Sequence, residues 1–312
     1  MQRLQRLGFM LLALVLLPHM ACAAEQKLVE LKFPTDMSYG KLYASWSSTA
    51  FQGYMLHTEK VPFAVAKGTV ELPKGYKMAR LDLSYAASNH LDALKNVGPA
   101  LIALTITLDN FDDDALLKIG AIPQLAYLKL SDSDITDRGL PAIGKLTHLQ
   151  MLYADQCELT GAGVMKTDWP QSLILLNISF NKLGDDCMQK FVGLKNLQHL
   201  QISRTGLTDA AAKWISKNPN ITALEVQDNN IGDKAMSYIA TMPKLQFLDI
   251  TSTHATDRSL TELQKVKTLT SLRIDRKNFS PQAIANFRKA RPSCGLDELA
   301  PRINPDVFGP LH

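Results

Sequence analysis

The sequence is short of cysteine, of charge of one sign and of long apolar runs, and each shortage closes off a class of protein. Four cysteines in 312 residues, none in CxxC spacing, make neither a disulfide framework nor a thiolate metal site. Lys and Arg number 34 against 30 Asp and Glu, interspersed along the chain. That balance makes no case for nucleic acid or an anionic membrane as partner. The seven histidines are dispersed, and neither GxSxG, HExxH nor a phosphate-binding glycine loop occurs. A non-catalytic chain without a cofactor is expected.

The longest apolar run is Phe9–Leu17, far short of the roughly 20 residues that span a bilayer. It follows Arg3 and Arg6 and precedes Pro18 and Ala21-Cys22-Ala23-Ala24, the order of a secretory signal. Residues 1–24 are therefore expected to be removed, which takes the formal charge from +4 to +2 and leaves Cys157, Cys187 and Cys294. The protein is then periplasmic or secreted, with no membrane span. An acylated Cys22 is the alternative, and His19, three residues before it, fits that signal poorly.

What is present is a repeat. Leu101, Leu125, Leu149, Leu173, Leu197, Ile221, Leu245 and Leu269 stand 24 residues apart without insertion. Three and five residues after each come further apolar side chains, Leu128 and Leu130 in the second unit, Leu248 and Ile250 in the seventh. This half alternates with period two and reads as a short strand. The other half takes helical spacing, as in Leu140, Ile143 and Leu146. One strand and one helix cannot bury both apolar faces alone, so the units must stack. An α/β solenoid follows, with a parallel sheet inside and helices outside.

Residues 125–146, LAYLKLSDSDITDRGLPAIGKL, carry almost letter for letter the pattern LxxLxLxxxxITDxGLxxIxxL. The chain thereby resembles leucine-rich-repeat proteins, in particular the GALA-type and cysteine-containing classes, without the F-box of the latter. The resemblance implies the solenoid fold and a binding scaffold, and leaves the partner open.

Asp137 recurs in register as Asp113, Asp185, Asp209, Asp233 and Asp257, behind residues that favour a helix N-cap. The recurring aspartate is read as helix punctuation rather than a metal cage. Asp132, Asp134 and Asp109 fall outside that rule and form the one candidate calcium cluster, against which solvated acidic turns are preferred for want of any calcium-loop motif. Residues 25–77 depart from the repeat and read as a β-rich cap, with turns at Lys67-Gly68 and Pro73-Lys74-Gly75. Residues 78–292 hold the array, one degenerate unit and eight regular ones, and 293–312 a closing cap and tail. Cys157 and Cys187 fall on inward positions; Cys294 stays open as a free thiol or an intermolecular bridge.

Function is expected on strand positions three, five and seven, which alternation turns away from the core, the seventh being small or polar, as in Ser131 and Asp155. The third and fifth supply the binding candidates. These are Tyr127, Lys129, Met151, Tyr153, Leu175, Asn177, His199, Gln201, Glu225, Phe247, Asp249 and Arg273. Tyr127, Met151, Tyr153, Leu175 and Phe247 would form an apolar strip of the kind protein interfaces favour. A composite catalytic site would hide in the concave groove, for instance His199 with Glu225 or Asp249. The leading reading is a module that binds a protein or peptide on its concave face, with a cell-envelope structural or glycan-binding role as the alternative. The oligomeric state is not legible.

Overall fold

A computed structural model describes residues 29–45, 60–106 and 111–299. The expected leader, Trp46, Phe51, Tyr54, Asp109 and the tail after residue 299 lie outside those residues. The eight regular units place one strand each: β6 (Leu101–Thr105), β7 (Tyr127–Lys129), β8 (Met151–Tyr153), β9 (Leu175–Asn177), β10 (His199–Gln201), β11 (Ala223–Glu225), β12 (Phe247–Asp249) and β13 (Ser271–Asp275). They pair in parallel, each with the next, residue for residue across one repeat. The returning segments are α1 (Asp113–Ile119), α2 (Pro141–Lys145), α3 (Gly161–Lys166), α4 (Asp209–Ile215), α5 (Asp233–Ile239), α6 (Asp257–Leu263) and α7 (Pro281–Ala290), with a 3₁₀ segment Asp186–Gly193 between α3 and α4. Strands stack about 4.8 Å apart and helices need about 8–10 Å, so the stack bends toward its strands.

The array is longer than its regular units at both ends. At the front, β1 (Glu30–Lys32) pairs antiparallel with β4 (Thr69–Glu71), while β2 (Gly40–Ser45) pairs antiparallel with β3 (Ala64–Val65) and β5 (Met78–Leu83). The turns fall where glycine takes positive φ, at Gly68 and Gly75. Strands β3 and β4 are not a hairpin with each other; each finds its partner upstream. Strand β5 then pairs in parallel with β6 and hands the sheet to the repeats. At the back, residues expected to lose the pattern supply another parallel strand, β14 (Gly295–Leu299), in register with β13. Among the described residues the result is a twelve-stranded sheet, the separate β1–β4 pair, and a main apolar core running from Leu31 to Cys294.

The core ends in polar devices. Glu298 takes the inward place that Ile274 holds one strand earlier and accepts from Arg276 Nη1 at 2.9 Å and from Arg288 Nη2. A charge turned inward on a terminal strand discourages further stacking. Arg291, buried, donates Nη2 to the carbonyls of Lys267 (3.0 Å) and Leu269 (2.8 Å), and Nη1 to Val266. It closes the carbonyls at the end of the preceding repeat.

The recurring aspartate turns out to act between repeats rather than on its own helix. Asp113 Oδ1 accepts the N–H of Thr136 at 2.9 Å and Oδ2 its hydroxyl at 2.6 Å. Asp137 does the same to Thr160, Asp185 to Thr208 and Asp257 to Ser280. Asp209 takes the N–H groups of Gly232 and Ala235, and Asp233 those of Thr256 and Ser259 with both hydroxyls. Each carboxylate thus caps the next unit's helix entry, satisfying donors that a short helix leaves open. Capping by the preceding residue also occurs: Asp112 accepts from Ala115 N–H, and Ser280 from Ala283 N–H.

The ninth position of each unit does a second inter-repeat job where it is asparagine. Asn181 Oδ1 accepts from Leu159 N–H at 3.0 Å, and its Nδ2 donates to the carbonyls of Ala154, Ile178 and Ser179. Asn229 repeats the arrangement one pair of units on. Cys157, in the same place, sits 3.4 Å from Ser133 Oγ. All three described cysteines are buried and unbridged. Burial pushes the Cys187 thiol up to about 12 and raises Cys294 as well. Cys294, open on sequence alone as a free thiol or an intermolecular bridge, is here a buried, unbridged thiol.

Candidate functional site

Registration of the strands sorts the twelve candidate residues into two parallel rows. One runs Tyr127, Met151, Leu175, His199, Ala223, Phe247, Ser271; the other Lys129, Tyr153, Asn177, Gln201, Glu225, Asp249, Arg273. The apolar strip expected along the first row is interrupted. Met151 and Leu175 are 0% and 1% exposed, because neighbours in register crowd a side chain turned into the inside of a curve. Tyr127 and Phe247 remain half-buried, and Tyr153 joins Tyr127 from the second row.

The face divides into two chemistries. In the first half, the rings of Tyr127 and Tyr153 lie 5.7 Å apart, tilted by 45°. Burial raises both hydroxyl pKa values, and Asp155 adds to it. Asp155 accepts from Ser131 Oγ (2.8 Å) and Asn177 Nδ2 (3.1 Å), fixing the floor beside the rings. The second half is a polar chain. His199 Nε2 lies 2.9 Å from Glu225 Oε1, and Gln201 Nε2 donates to the same oxygen at 2.7 Å. Burial pushes the Glu225 carboxyl up, but the His199 and Gln201 hydrogen bonds win and hold it below the usual range. Asp249, buried, accepts from the Thr251 N–H and hydroxyl; there desolvation wins and the carboxyl is raised. Arg273 spans Asp249 at 3.5 Å and Asp297 at 3.3 Å, with its guanidinium 5.8 Å from the Phe247 ring.

His199 and Glu225 thus meet, as the sequence allowed, whereas Asp249 belongs to Arg273. Four side chains of the face, in three places, were missed. Arg80 and Asp82 pair at 2.8 Å on β5, with Arg80 4.3 Å from the Tyr43 ring, and extend the face beyond the regular units. Alternation with Leu81 and Leu83 already points both outward. Phe180 is 44% exposed at the rim, 6.0 Å from the Arg204 guanidinium. It sits at the eighth position, where its counterparts in the other units from residue 125 onward are polar. Asp297 required β14 to be recognised as a strand.

The acidic turn has a backbone explanation. Asp132 has φ +59°, and its counterparts Gln156, Phe180, Arg204, Asp228 and Ser252 all lie between +51° and +58°. Aspartate is among the residues that tolerate that corner best. Asp132 and Asp134 line an open groove with Ser133, Gln156, Cys157 and Glu158. Among the described residues no three His, Cys, Asp or Glu side chains gather as a metal site would need.

Residues 171–231 match the family model for the leucine rich repeat. The fold is a leucine-rich-repeat solenoid. Among solved structures, it is similar to internalin C2 of Listeria monocytogenes, at 24% identity and a TM-score of 0.36, over 59% of this chain and 65% of that one. A second similar structure is an internalin (inlF) of the same organism, at 17% identity and a TM-score of 0.34, over 58% of this chain and 69% of that one. This solenoid therefore spans just under two thirds of internalin C2. A search of curated proteins gave no match. Among the described residues no helix is long and apolar enough to cross a membrane.

Proposed function

We propose that this leucine-rich-repeat chain is a non-catalytic recognition module, periplasmic or secreted, that holds a protein or peptide against its strand face. The observation carrying this reading is the pair Tyr127 and Tyr153, half-buried and held in contact on the strand face. Rigid aromatics ringed by polar side chains are the usual anchors of protein interfaces. Beside them lies a hydrogen-bonded and ion-paired row from His199 through Glu225 and Asp249 to Arg273, buried at His199 and Asp249 and half-exposed at Arg273. Such a row sets orientation and rejects wrong partners more than it adds affinity. The His199–Glu225 contact is read as part of that scaffold, since its shared oxygen also holds Gln201.

The test is capture from envelope and extracellular extracts, with the native chain and a Tyr127→Asp/Tyr153→Asp variant side by side. A protein retained by the first and lost by the second, at unchanged melting temperature, is the expected result. Identical captures would move the interaction off this face.

A further inference from the structure

The interspersed charges of the linear sequence are sorted by folding. Take the seven consecutive units that begin at residues 125 to 269. The last eight residues of each, running from the helix into the next strand, hold twelve Lys and Arg, all but the buried Arg291 reaching the surface, against only Asp168 and Glu262. The nine residues from the eighth position of each unit, running through the turn and into the helix, hold ten acidic side chains against seven basic ones. Stacking lines these segments up on opposite lateral sides of the solenoid, so one side is strongly basic although the whole chain is nearly balanced. The basic side carries an exposed lysine in every unit: Lys145, Lys166, Lys195, Lys217, Lys244, Lys267 and Lys289. None of the seven forms an ion pair with a carboxylate among the described residues. Trp214 lies among them, half-buried, with Lys217 Nζ 4.2 Å and Lys213 Nζ 6.0 Å from its ring.

Lysine at helix C-termini is favoured by the helix dipole, but that effect fades beyond the last turn. Lys195, Lys244 and Lys267 stand in the turns past the helices. The dipole therefore does not account for them.

We infer that the lysine side of the solenoid docks on an anionic lipid surface. The lateral side of a curved stack is its flat side, and it spreads single charges evenly across seven units, the geometry of a plane rather than a pocket. Lysine is a strongly hydrated point charge, suited to a diffuse field, where bidentate recognition of one phosphate would call for arginine. An indole at the rim of such a patch suits the headgroup layer. Docked in this way, the strand face opens sideways and stays free.

The experiment is vesicle co-sedimentation of the protein as processed by the expressing cell. Vesicles of equal parts phosphatidylglycerol and phosphatidylcholine are compared with phosphatidylcholine alone. Binding to the anionic vesicles only, lost as salt rises, is expected. The variant Lys195→Gln/Lys217→Gln/Lys244→Gln/Lys267→Gln is expected to bind on the order of 100-fold or more weaker, since each lysine near an anionic surface counts for roughly fivefold. Lys182→Gln/Lys234→Gln, on the helix-entry side, is expected to bind like the native chain. Should the fourfold variant lose its far-UV spectrum, Lys195→Gln/Lys267→Gln carries the same test with a loss of about tenfold or more. The inference is overturned by absence of binding at low salt, or by folded lysine variants that bind as well as the native chain. It is equally overturned if soluble dextran sulfate binds and vesicles do not, which would assign the lysines to a linear polyanion.

Discussion

Six of the seven interfaces between the regular units carry the aspartate clamp, and one does not. Between the units that begin at Leu149 and Leu173, glycine stands at both ends of the missing bond, Gly161 and Gly184. A Cβ at Gly161 would lie 2.1 Å from the Leu183 carbonyl oxygen, so the two backbones approach there more closely than any side chain permits. The returning segment that follows is 3₁₀ rather than α-helical, and Asp185 at its entry is engaged with Thr208 instead of its own segment. Other contacts hold this interface. Asn181 ties both units together, and the Trp169 ring meets Phe191 edge-on at 5.5 Å. The same repeat position therefore offers two exclusive solutions: a carboxylate bridging a normal gap, or a glycine that closes the gap.

The strongest way to break that contrast is to force the clamp where it is missing. Gly161→Asp places a Cβ inside the Leu183 carbonyl, and that backbone must move. A loss of about 3–5 kcal/mol is expected, read from urea or thermal unfolding followed by circular dichroism. A variant as stable as the native chain would mean that the two solutions are interchangeable.

Next in size is Asn181→Ala. It strands the Leu159 N–H and the Ala154 carbonyl at the one interface with no clamp. Leaving buried backbone groups unpaired is expected to cost about 2–4 kcal/mol. Native-state hydrogen exchange should show protection lost first in the two units flanking that interface. Uniform loss along the solenoid would contradict the idea that Asn181 substitutes for the absent aspartate.

Third comes a clamp itself. Asp233→Ala removes an acceptor of four donors and is expected to cost about 2–3 kcal/mol at neutral pH. For Asp233 burial raises the carboxyl pKa, but Ser259 and Thr256 outweigh it and set it below 3.8. Asp113 is likewise lowered, with Thr136 and Arg138 outweighing burial. A depressed carboxyl contributes stability above the unfolded value that disappears as pH falls through the folded one. The native melting temperature should therefore fall steeply below pH 3.8, and the gap between it and Asp233→Ala should shrink there. Asp249, raised by burial, acts with the opposite sign and removes stability as pH rises through its folded value. A constant gap across the acid range would show that the clamp's charge contributes nothing.

Much of this was legible in the residues, for a physical reason. A solenoid repeats one packing problem, so Leu128, Leu130 and Ile143 announce their inward places by period alone. The clamp was visible as recurrence but not as geometry: Asp137 and Thr160 are 23 residues apart, and only stacking makes them neighbours. The same limit hid Met151 and Leu175, whose outward phase was right while their exposure depended on side chains of other units. The lysine side escaped because alternation of sign along the chain carries no information about which side of a stack each sign reaches. Strand β14 escaped because Glu298 breaks the apolar pattern at the point where the stack must end.

The smallest effect concerns the rim of the face. Among the described residues six units place a non-glycine residue at the left-handed corner, and Phe180 is the bulkiest of them. An L-residue there costs about 1–2 kcal/mol, of which glycine's extra freedom in the unfolded chain takes back about 0.4–1 kcal/mol. Phe180→Gly therefore gains about 0.5 kcal/mol from the backbone. The ring is 44% exposed, so just over half of the side chain is covered and its loss costs about 1 kcal/mol. The net effect is expected to be near-neutral to slightly destabilising, a small shift in melting temperature. If the proposed partner reaches this rim, Phe180→Gly should weaken its capture far more than it moves stability. Full capture by a folded Phe180→Gly chain would confine recognition to the Tyr127–Tyr153 pair and the row behind it.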